Sequence, residues 1–223
     1  RDRFGIKPFF YFHNKDQFVF GSEIKCILSA STSSHDICIR ELDQYLAFGY
    51  SSQGSTIYQD IKKLKPGHIL EIQDGRINVT RYWDVHYRPD YGKTEDEWCG
   101  LIEDKLSETV KSHLMSDVPL GAFLSGGIDS SAVVAMMAKH SDSPVKTFSI
   151  GFKEAEFNEL KYAREIANKY RTEHYEQIVE PESVGLLPKL VDTYDEPFAD
   201  SSAIPTYFVS KFAREFVTVV LSG

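Results

Sequence analysis

The stretch Leu-Ser-Gly-Gly-Ile-Asp-Ser-Ser at residues 124–131 decides the fold, because it lies where a predicted strand becomes a predicted helix. Residues 118–124 have the pattern of a strand and residues 130–140 that of a helix. Two adjacent glycines let the backbone turn and approach a ligand without a Cβ in the way. The N–H groups and dipole of the following helix attract an anion, and three serine hydroxyls add donors. The stretch therefore predicts a phosphate-binding loop.

Asp129 is the acidic residue of this loop, and a bare phosphate would repel its carboxylate. Its presence makes sense if a divalent cation lies between carboxylate and phosphate. The loop is not a Walker A motif, because no Lys follows the glycines. A simpler interpretation is that Asp129 or Ser130 only caps the helix. Capping explains one polar residue, but not the glycines and serines around it.

Downstream of the loop, apolar strands alternate with helices of ten or more residues. This alternation predicts an α/β fold with a parallel sheet and right-handed crossovers. Ligands bind such sheets at the carboxyl ends of the strands. The predicted strands cover residues 145–152, 175–179 and 217–221, and the predicted helices cover residues 156–170, 182–193 and 202–216.

Upstream of the loop, the pattern is that of an antiparallel α+β domain. Hairpins are predicted at residues 9–21 and 68–83, the second around an Asp-Gly turn. Short helices are predicted at residues 22–29 and 39–48. Proline and glycine at residues 87–92 mark a boundary, and Thr94 begins a helix with a capping box and an apolar stripe from Trp98 to Leu114. We therefore expect one domain over residues 1–87, a linker over 88–96 and a second domain over 97–223.

Composition limits the classes of function. The 223 residues are 42% hydrophobic and 26% charged, which is typical of a soluble globular protein. With 33 acidic and 25 basic residues, the net charge of −8 argues against a nucleic-acid partner. No apolar run approaches the roughly 20 residues of a membrane helix. Cys26, Cys38 and Cys99 lack metal-ligand spacing and fit a reducing cytoplasm. We interpret the chain, from Arg1 to Gly223, as an excerpt of a longer protein.

Several motifs resemble one enzyme family. Ser-Gly-Gly-Ile-Asp-Ser at residues 125–130 resembles the pyrophosphate-binding loop (PP-loop) of ATP pyrophosphatases. Further motifs resemble the synthetase domain of glutamine-hydrolysing asparagine synthetases; they lie at residues 147–152, 157–159, 195–202 and 221–223. Residues 1–11 and 22–25 resemble the later part of that family's glutaminase domain. The resemblance implies a partial N-terminal-nucleophile hydrolase layer, followed by part of an adenine nucleotide α-hydrolase-like domain.

The resemblance also implies an activity. Such enzymes are ligases that form C–N bonds, making asparagine from aspartate with glutamine-derived ammonia. The reaction passes through β-aspartyl-AMP and releases AMP and pyrophosphate. The implied ligands are ATP, Mg²⁺, aspartate and glutamine, with no nucleic-acid or membrane partner and a cytoplasmic location. A homodimer of the full-length enzyme is left open.

Residue roles follow from the same resemblance. Asp129 would bind Mg²⁺ and be the catalytic residue. The implied nucleotide contacts, Asp129 included, are Phe123, Leu124, Ser125, Gly126, Gly127, Asp129, Ser130, Ser131, Ile150, Ser222 and Gly223. The candidate substrate or metal ligands are Glu159, Asp195, Glu196, Asp200 and Ser201. Glu159 is equally explained by compensation of a helix dipole, and the acidic stretch by a solvated turn with a capping residue.

The family's catalytic cysteine would be the first residue of the mature enzyme, whereas Arg1 stands first here. We therefore expect the excerpt alone neither to hydrolyse glutamine nor to make asparagine. Two alternatives stay open. One is a related amidotransferase or β-lactam-synthetase-like enzyme that acts on another carboxylate. The other is a catalytically dead nucleotide-binding module.

Overall fold

A computed structural model describes residues 1–152, 159–179 and 183–223. The chain forms two compact units. The first unit consists of Arg1–Arg88 and Val184–Ser201, and the second of Pro89–Ser183 and Ser202–Gly223. The chain therefore returns to the first unit for one short segment before it completes the second.

The first unit contains the two hairpins expected from the sequence. Strands β1 (Phe10–His13), β2 (Phe18–Gly21) and β3 (Lys62–Lys63) form an antiparallel sheet in the order β2-β1-β3. Helices α1 (Ile24–Ala30) and α2 (Ile39–Phe48) follow β2. The core of this sheet and α1 consists of four buried side chains, Phe12, Ile24, Ile27 and Ile61.

The second hairpin joins β4 (His68–Gln73) to β5 (Arg76–Arg81) through the Asp-Gly turn. Asp74 and Gly75 both have positive φ, at 51° and 72°, as a two-residue hairpin turn requires. Just after β5, the ring of Trp83 packs edge-on against Phe4, with ring centroids 4.9 Å apart. The antiparallel pairing expected here is confirmed, while the nucleophile-hydrolase layer stays a prediction.

The second unit contains the predicted parallel sheet. Its strands are β6 (Leu120–Phe123), β7 (Lys146–Phe152), β8 (Glu173–Val179) and β9 (Val219–Leu221), all parallel in the order β8-β7-β6-β9. The helices from residue 95 onward are α3 (Glu95–His113), α4 (Ile128–His140), α5 (Leu160–Tyr170), α6 (Ser183–Tyr194) and α7 (Ala203–Ala213). Nearly all of α6 lies in the first unit.

Some predicted element boundaries differ from the structure, and others lie outside the described residues. The predicted starts of two helices, at Glu156 and Glu182, lie outside the described residues, as do the motif residues 157 and 158. The last predicted helix ends at Ala213 rather than at residue 216, and the last strand begins at Val219 rather than at 217. Phe216 and Val217 lie between this helix and this strand and pack in the core with Phe148. Their apolar side chains made the helix and the strand look longer in the sequence than they are.

Helix α3 begins with the predicted capping box. The Thr94 hydroxyl accepts the Glu97 N–H at 3.3 Å, and the Glu97 carboxylate accepts the Thr94 N–H at 2.7 Å. The predicted apolar stripe is buried only towards its C-terminal end, where Val110 joins the core with side chains of α4. Trp98 is 39% exposed, and the Lys93 ammonium lies 5.2 Å from its ring centroid. None of the helices formed by the described residues combines the length and apolarity needed to cross a bilayer.

Candidate functional site

The glycine loop joins the carboxyl end of β6 to the start of α4. Gly126 has φ +85°, and Gly127, the N-cap residue of α4, has φ −68° with no side-chain cap. A Cβ at Gly126 would lie 2.5 Å from the Tyr162 Cβ and 2.6 Å from the Ala163 nitrogen, in the first turn of α5. A Cβ at Gly127 would approach only the Ser125 hydroxyl, at 3.3 Å. Gly126 is therefore required for packing, whereas Gly127 leaves the loop open on its outer side.

Two of the three serines brace the loop from within. The Ser130 Oγ accepts the Ser125 N–H at 3.3 Å and lies 3.0 Å from the Ser125 Oγ. The Ser125 Oγ in turn accepts the Gly127 N–H at 3.2 Å. The Ser131 Oγ differs, because it is buried and has no hydrogen-bond partner among the described residues. A buried hydroxyl without a partner is costly, so Ser131 remains a candidate donor to a ligand.

The first N–H groups of α4 have no hydrogen-bond acceptor within the helix. Intrahelical bonding begins with the Ser131 N–H, which donates to the Gly127 carbonyl at 3.1 Å. The amides of residues 128–130 precede this bond and are left without an intrahelical partner. Amides of this kind, together with the helix dipole, form an anion site.

Asp129 lies in the first turn of α4 with its side chain exposed. The described part of the chain offers it neither a hydrogen bond nor an ion pair. No group of three His, Cys, Asp or Glu side chains that could hold a metal occurs among the residues the structure describes. Mg²⁺ is commonly held by one or two carboxylates together with substrate phosphates. A single free carboxylate beside an anion site therefore fits Mg²⁺ bound with a nucleotide.

Strand β9 brings the last two residues to the loop. It pairs with β6 in the register Leu120↔Val219 to Ala122↔Leu221, so Ser222 and Gly223 follow at the same edge of the sheet. A Cβ at Gly223 would lie 2.3 Å from the Ser130 nitrogen. This close approach places Gly223 directly against the start of α4, and only glycine fits there.

A pocket of about 400 Å³ opens beside the loop, at the carboxyl ends of β6 and β7. Its volume lies within the range of small-molecule sites. Of the residues expected from the sequence to contact a nucleotide or substrate, five line it: Phe123, Leu124, Ser125, Ile150 and Glu159. The structure thus brings these residues together in one site within the second unit.

Residues that were not expected from the sequence complete this pocket. Ser202, Pro205, Thr206 and Val209 line it from α7 and the residue before it. Their spacing of i, i+3, i+4 and i+7 shows that they share a helix face, which was a signal available in the sequence. Ser149 was also missed; it lines the pocket and its buried hydroxyl donates to the Leu124 carbonyl, joining the ends of β7 and β6.

The acidic residues of the segment 195–200 belong to the first unit. The Asp195 side chain is 8% exposed; its carboxylate accepts the Lys25 N–H at 3.0 Å and lies 3.1 Å from the Lys25 Nζ. Hydrogen bonds to Glu23 and then to Asp195 raise the pKa of the Lys25 ammonium. Asp195 is therefore already paired within its own unit.

Glu196 is paired in the same way. Its carboxylate forms an ion pair with Lys63 and accepts the Ile57 N–H at 3.3 Å and the Ser51 hydroxyl at 3.4 Å. Asp200 and Ser201 are exposed and line, with Glu196, a second pocket of about 670 Å³. These four candidates thus lie in the first unit, whereas Glu159 and the loop lie in the second.

Comparisons with known proteins agree with the arrangement of motifs. Residues 101–223 match the family model described as asparagine synthase, and residues 1–83 match the one described as glutamine amidotransferase domain. The whole chain is 40% identical, over 225 residues, to asparagine synthetase [glutamine-hydrolyzing] 1 of Bacillus subtilis, of which it covers 35%. It is also 40% identical, over 233 residues, to a homologue in Methanocaldococcus jannaschii, of which it covers 44%.

A weaker likeness, with a TM-score of 0.36 and 14% identity over 54% of each chain, links the protein to an NH3-dependent NAD synthetase from Campylobacter jejuni. The family assignment rests on the sequence matches alone. The chain spans less than half the length of the two curated relatives described above. Because the synthase match covers more than half of its residues, and includes the glycine loop at residues 124–131, the chain belongs to the asparagine synthase family.

Proposed function

We propose that the chain is part of a glutamine-dependent asparagine synthetase, and that its second unit binds ATP and activates aspartate. One observation carries this proposal. Free amides at the start of α4 and an unpaired Asp129 lie next to a pocket at the carboxyl edge of a parallel sheet. The family membership and the match to a glutamine amidotransferase domain support aspartate and glutamine as the other substrates.

The chemistry begins with a carboxylate, which is a poor electrophile until one of its oxygens becomes a good leaving group. In the proposed reaction the β-carboxylate of aspartate attacks the α-phosphorus of ATP. The bond to the β-phosphate breaks, and pyrophosphate leaves. Ammonia then attacks the carbonyl carbon of β-aspartyl-AMP, and AMP departs as asparagine forms.

The loop supplies what this reaction needs. The amides of residues 128–130 and the Ser131 hydroxyl donate to the departing pyrophosphate, whose developing charge is the main electrostatic cost. Asp129 holds Mg²⁺, which when bound would neutralise phosphate charge. Phe123, Leu124 and Ile150 provide an apolar pocket for the adenosine. Glu159, which lines the same pocket, is a candidate ligand for the substrate or the metal.

The domain boundaries are proposed on the same basis. Residues 1–87 form the end of a glutaminase domain, residues 88–96 a linker, and residues 97–223 the start of the PP-loop synthetase domain. The family matches to residues 1–83 and 101–223 support this division. The segment Val184–Ser201, which lies within the second domain in sequence, packs in the first unit.

The test measures pyrophosphate release from Mg-ATP by the full-length protein. We expect release only when aspartate is present, with less than about a tenth of that rate for glutamate or succinate. Glutamate is longer by one methylene, and succinate lacks the α-amino group that a site for aspartate would bind. Equal release with unrelated carboxylates would assign the protein to another amidotransferase or a β-lactam-synthetase-like enzyme. ATP binding without any release would identify a catalytically dead module.

A further inference from the structure

The acidic pair Asp195–Glu196 lies within the residues that match asparagine synthase, yet residues that match the glutamine amidotransferase domain hold both side chains. Their partners are Lys25, Ser51, Ile57 and Lys63, which stand 133 to 170 positions earlier in the sequence. All these residues belong to the first compact unit. A short piece of the synthase sequence is therefore built into the amidotransferase part of the fold.

Asp195 acts as a helix cap supplied from a distant segment. Helix α1 has Glu23 at its N-cap position, and that side chain makes no cap hydrogen bond. The Asp195 carboxylate accepts the Lys25 N–H in the first turn instead, and it also pairs with the Lys25 ammonium. A carboxylate at a helix N-terminus is favoured by both the free amides and the dipole. Asp195 itself has φ +62°, an uncommon conformation that the surrounding contacts must maintain.

Glu196 makes the second attachment. The Ile57 N–H, the Ser51 hydroxyl and the Lys63 ammonium all donate to its carboxylate, and its side chain is 15% exposed. With a lysine already on each carboxylate, neither residue is free to bind a metal or an amine without first losing these contacts. The pairing favours a structural role, in which the two carboxylates hold their segment to the rest of the first unit.

The attached segment leads directly into the wall of the nucleotide pocket. Glu196 precedes Ser202 by six positions, and the chain passes from the first unit to the second between Ser201 and Ser202. Six extended residues span at most about 20 Å, so the attachment restricts where α7 can begin. Ser202, Pro205, Thr206 and Val209 then line the pocket.

We propose that Asp195 and Glu196 are positioning residues that couple glutamine hydrolysis to asparagine synthesis, by fastening the segment before α7 to the amidotransferase part of the fold. This inference rests on the proposed function. A change at the amidotransferase site is transmitted to the pocket through the attached segment, because both ends of that segment are fixed. Without the attachment, glutamine is still hydrolysed and asparagine is still made from added ammonium. The ammonia released from glutamine is then no longer converted to asparagine.

The test uses the full-length protein with Lys25→Met and Lys63→Met together, which remove the cations and leave the candidate carboxylates in place. Asparagine and glutamate are measured with glutamine as the nitrogen donor, and asparagine is measured separately with ammonium. The matched control is Lys62→Met, because Lys62 is the exposed neighbour of Lys63 in β3. Asp195→Asn with Glu196→Gln removes the charges from the other side, and both amides retain an acceptor for the backbone N–H groups.

We expect asparagine formed per glutamate to fall at least about fivefold in both double variants, the lower end of ordinary coupling between sites. Ammonium-dependent synthesis should stay within about twofold of wild type in the lysine variant, because neither Lys25 nor Lys63 lines the nucleotide pocket. An unchanged ratio, or equal losses with both nitrogen donors, would overturn the coupling role. A wild-type protein that makes no asparagine from ammonium would refute the proposed function itself.

Discussion

The glycine loop at residues 124–131 and the acidic segment at residues 195–200 are both candidate ligand sites by sequence, but the structure treats them in opposite ways. In the loop, the structure leaves the Asp129 carboxylate and the Ser131 hydroxyl without partners among the described residues. In the segment, lysines and backbone amides occupy the carboxylates of Asp195 and Glu196. An acidic residue in a motif is thus informative about ligands only after its partners in the fold have been counted.

The largest expected effect concerns the free carboxylate. Asp129→Ala should lower aspartate-dependent pyrophosphate release by at least about 100-fold, the usual loss when one stabilising group for developing charge is removed. Stability should change by less than about 1 kcal/mol, because Asp129 is exposed and gives up only its interaction with the helix dipole. The assay is pyrophosphate release from Mg-ATP, with urea unfolding alongside.

Exposed Asp142→Asn serves as the control, and it should leave both quantities unchanged. If Asp129→Ala retained full activity, the metal role of this carboxylate would be wrong. The loop would then resemble the acidic segment in using its carboxylate for structure.

The two loop glycines offer a matched pair. Gly126→Ala should destabilise the protein by about 3 kcal/mol, from a Cβ at positive φ that overlaps Tyr162 and the Ala163 backbone. Gly127→Ala should cost no more than about 1 kcal/mol, because its φ is −68° and the Ser125 hydroxyl can rotate away. Urea unfolding measures both. Similar losses of stability in the two variants would contradict the assignment of packing to Gly126 and of an open loop surface to Gly127.

Asp195→Ala should lower stability more than activity, whereas Asp129→Ala should lower activity more than stability. Removing this carboxylate leaves the Lys25 N–H without its acceptor and should cost about 2 kcal/mol, a typical penalty for an unsatisfied group of low exposure. Ammonium-dependent synthesis should fall far less than in Asp129→Ala. Thermal unfolding and the synthesis assay together decide it. Wild-type stability of the Asp195→Ala protein would mean that Asp195, like Asp129, is not needed for the structure.

The smallest effect comes from an ion pair near the surface of the second unit. Arg164 donates to Glu176 through two nitrogens, at 2.8 and 2.6 Å, and this hydrogen bonding lowers the pKa of Glu176. A lowered carboxyl pKa gives stability that is present above the unfolded value of about 4.3 and is lost as the pH falls through the folded value. Glu176→Gln should therefore lower Tm by about 1 °C at pH 7, and the difference should vanish in acid. A difference that does not shrink as the pH falls would contradict this cause.

The sequence predicts the loop and its flanking elements because their signals are local. Two glycines, the apolar strand before them and the helix after them lie within about twenty residues, and each signal supports the next. The predicted strands over residues 145–152 and 175–179 are β7 and β8 for the same reason. The pattern wrongly placed residue 216 in the helix and residue 217 in the strand, because both side chains are apolar and pack in the core from the connection between these elements.

The partners of Asp195 and Glu196 could not be predicted in this way. Lys25 and Lys63 are more than 130 positions away, and no periodicity connects them to the acidic pair. The strand order β8-β7-β6-β9 is equally a product of the complete fold, since β9 pairs with β6 only after the chain has passed through the first unit again. The α7 face at the pocket was visible as a helical stripe, but a stripe alone does not distinguish core from ligand wall.

The chain has two tryptophans, and each unit holds one: Trp83 beside Phe4 in the first and Trp98 beside Lys93 in the second. Replacing either with phenylalanine leaves residues 1–223 with one tryptophan, whose fluorescence reports on a single unit. The two variants would show whether one unit unfolds before the other. Tryptophan emission alone would follow the unfolding, without any added dye.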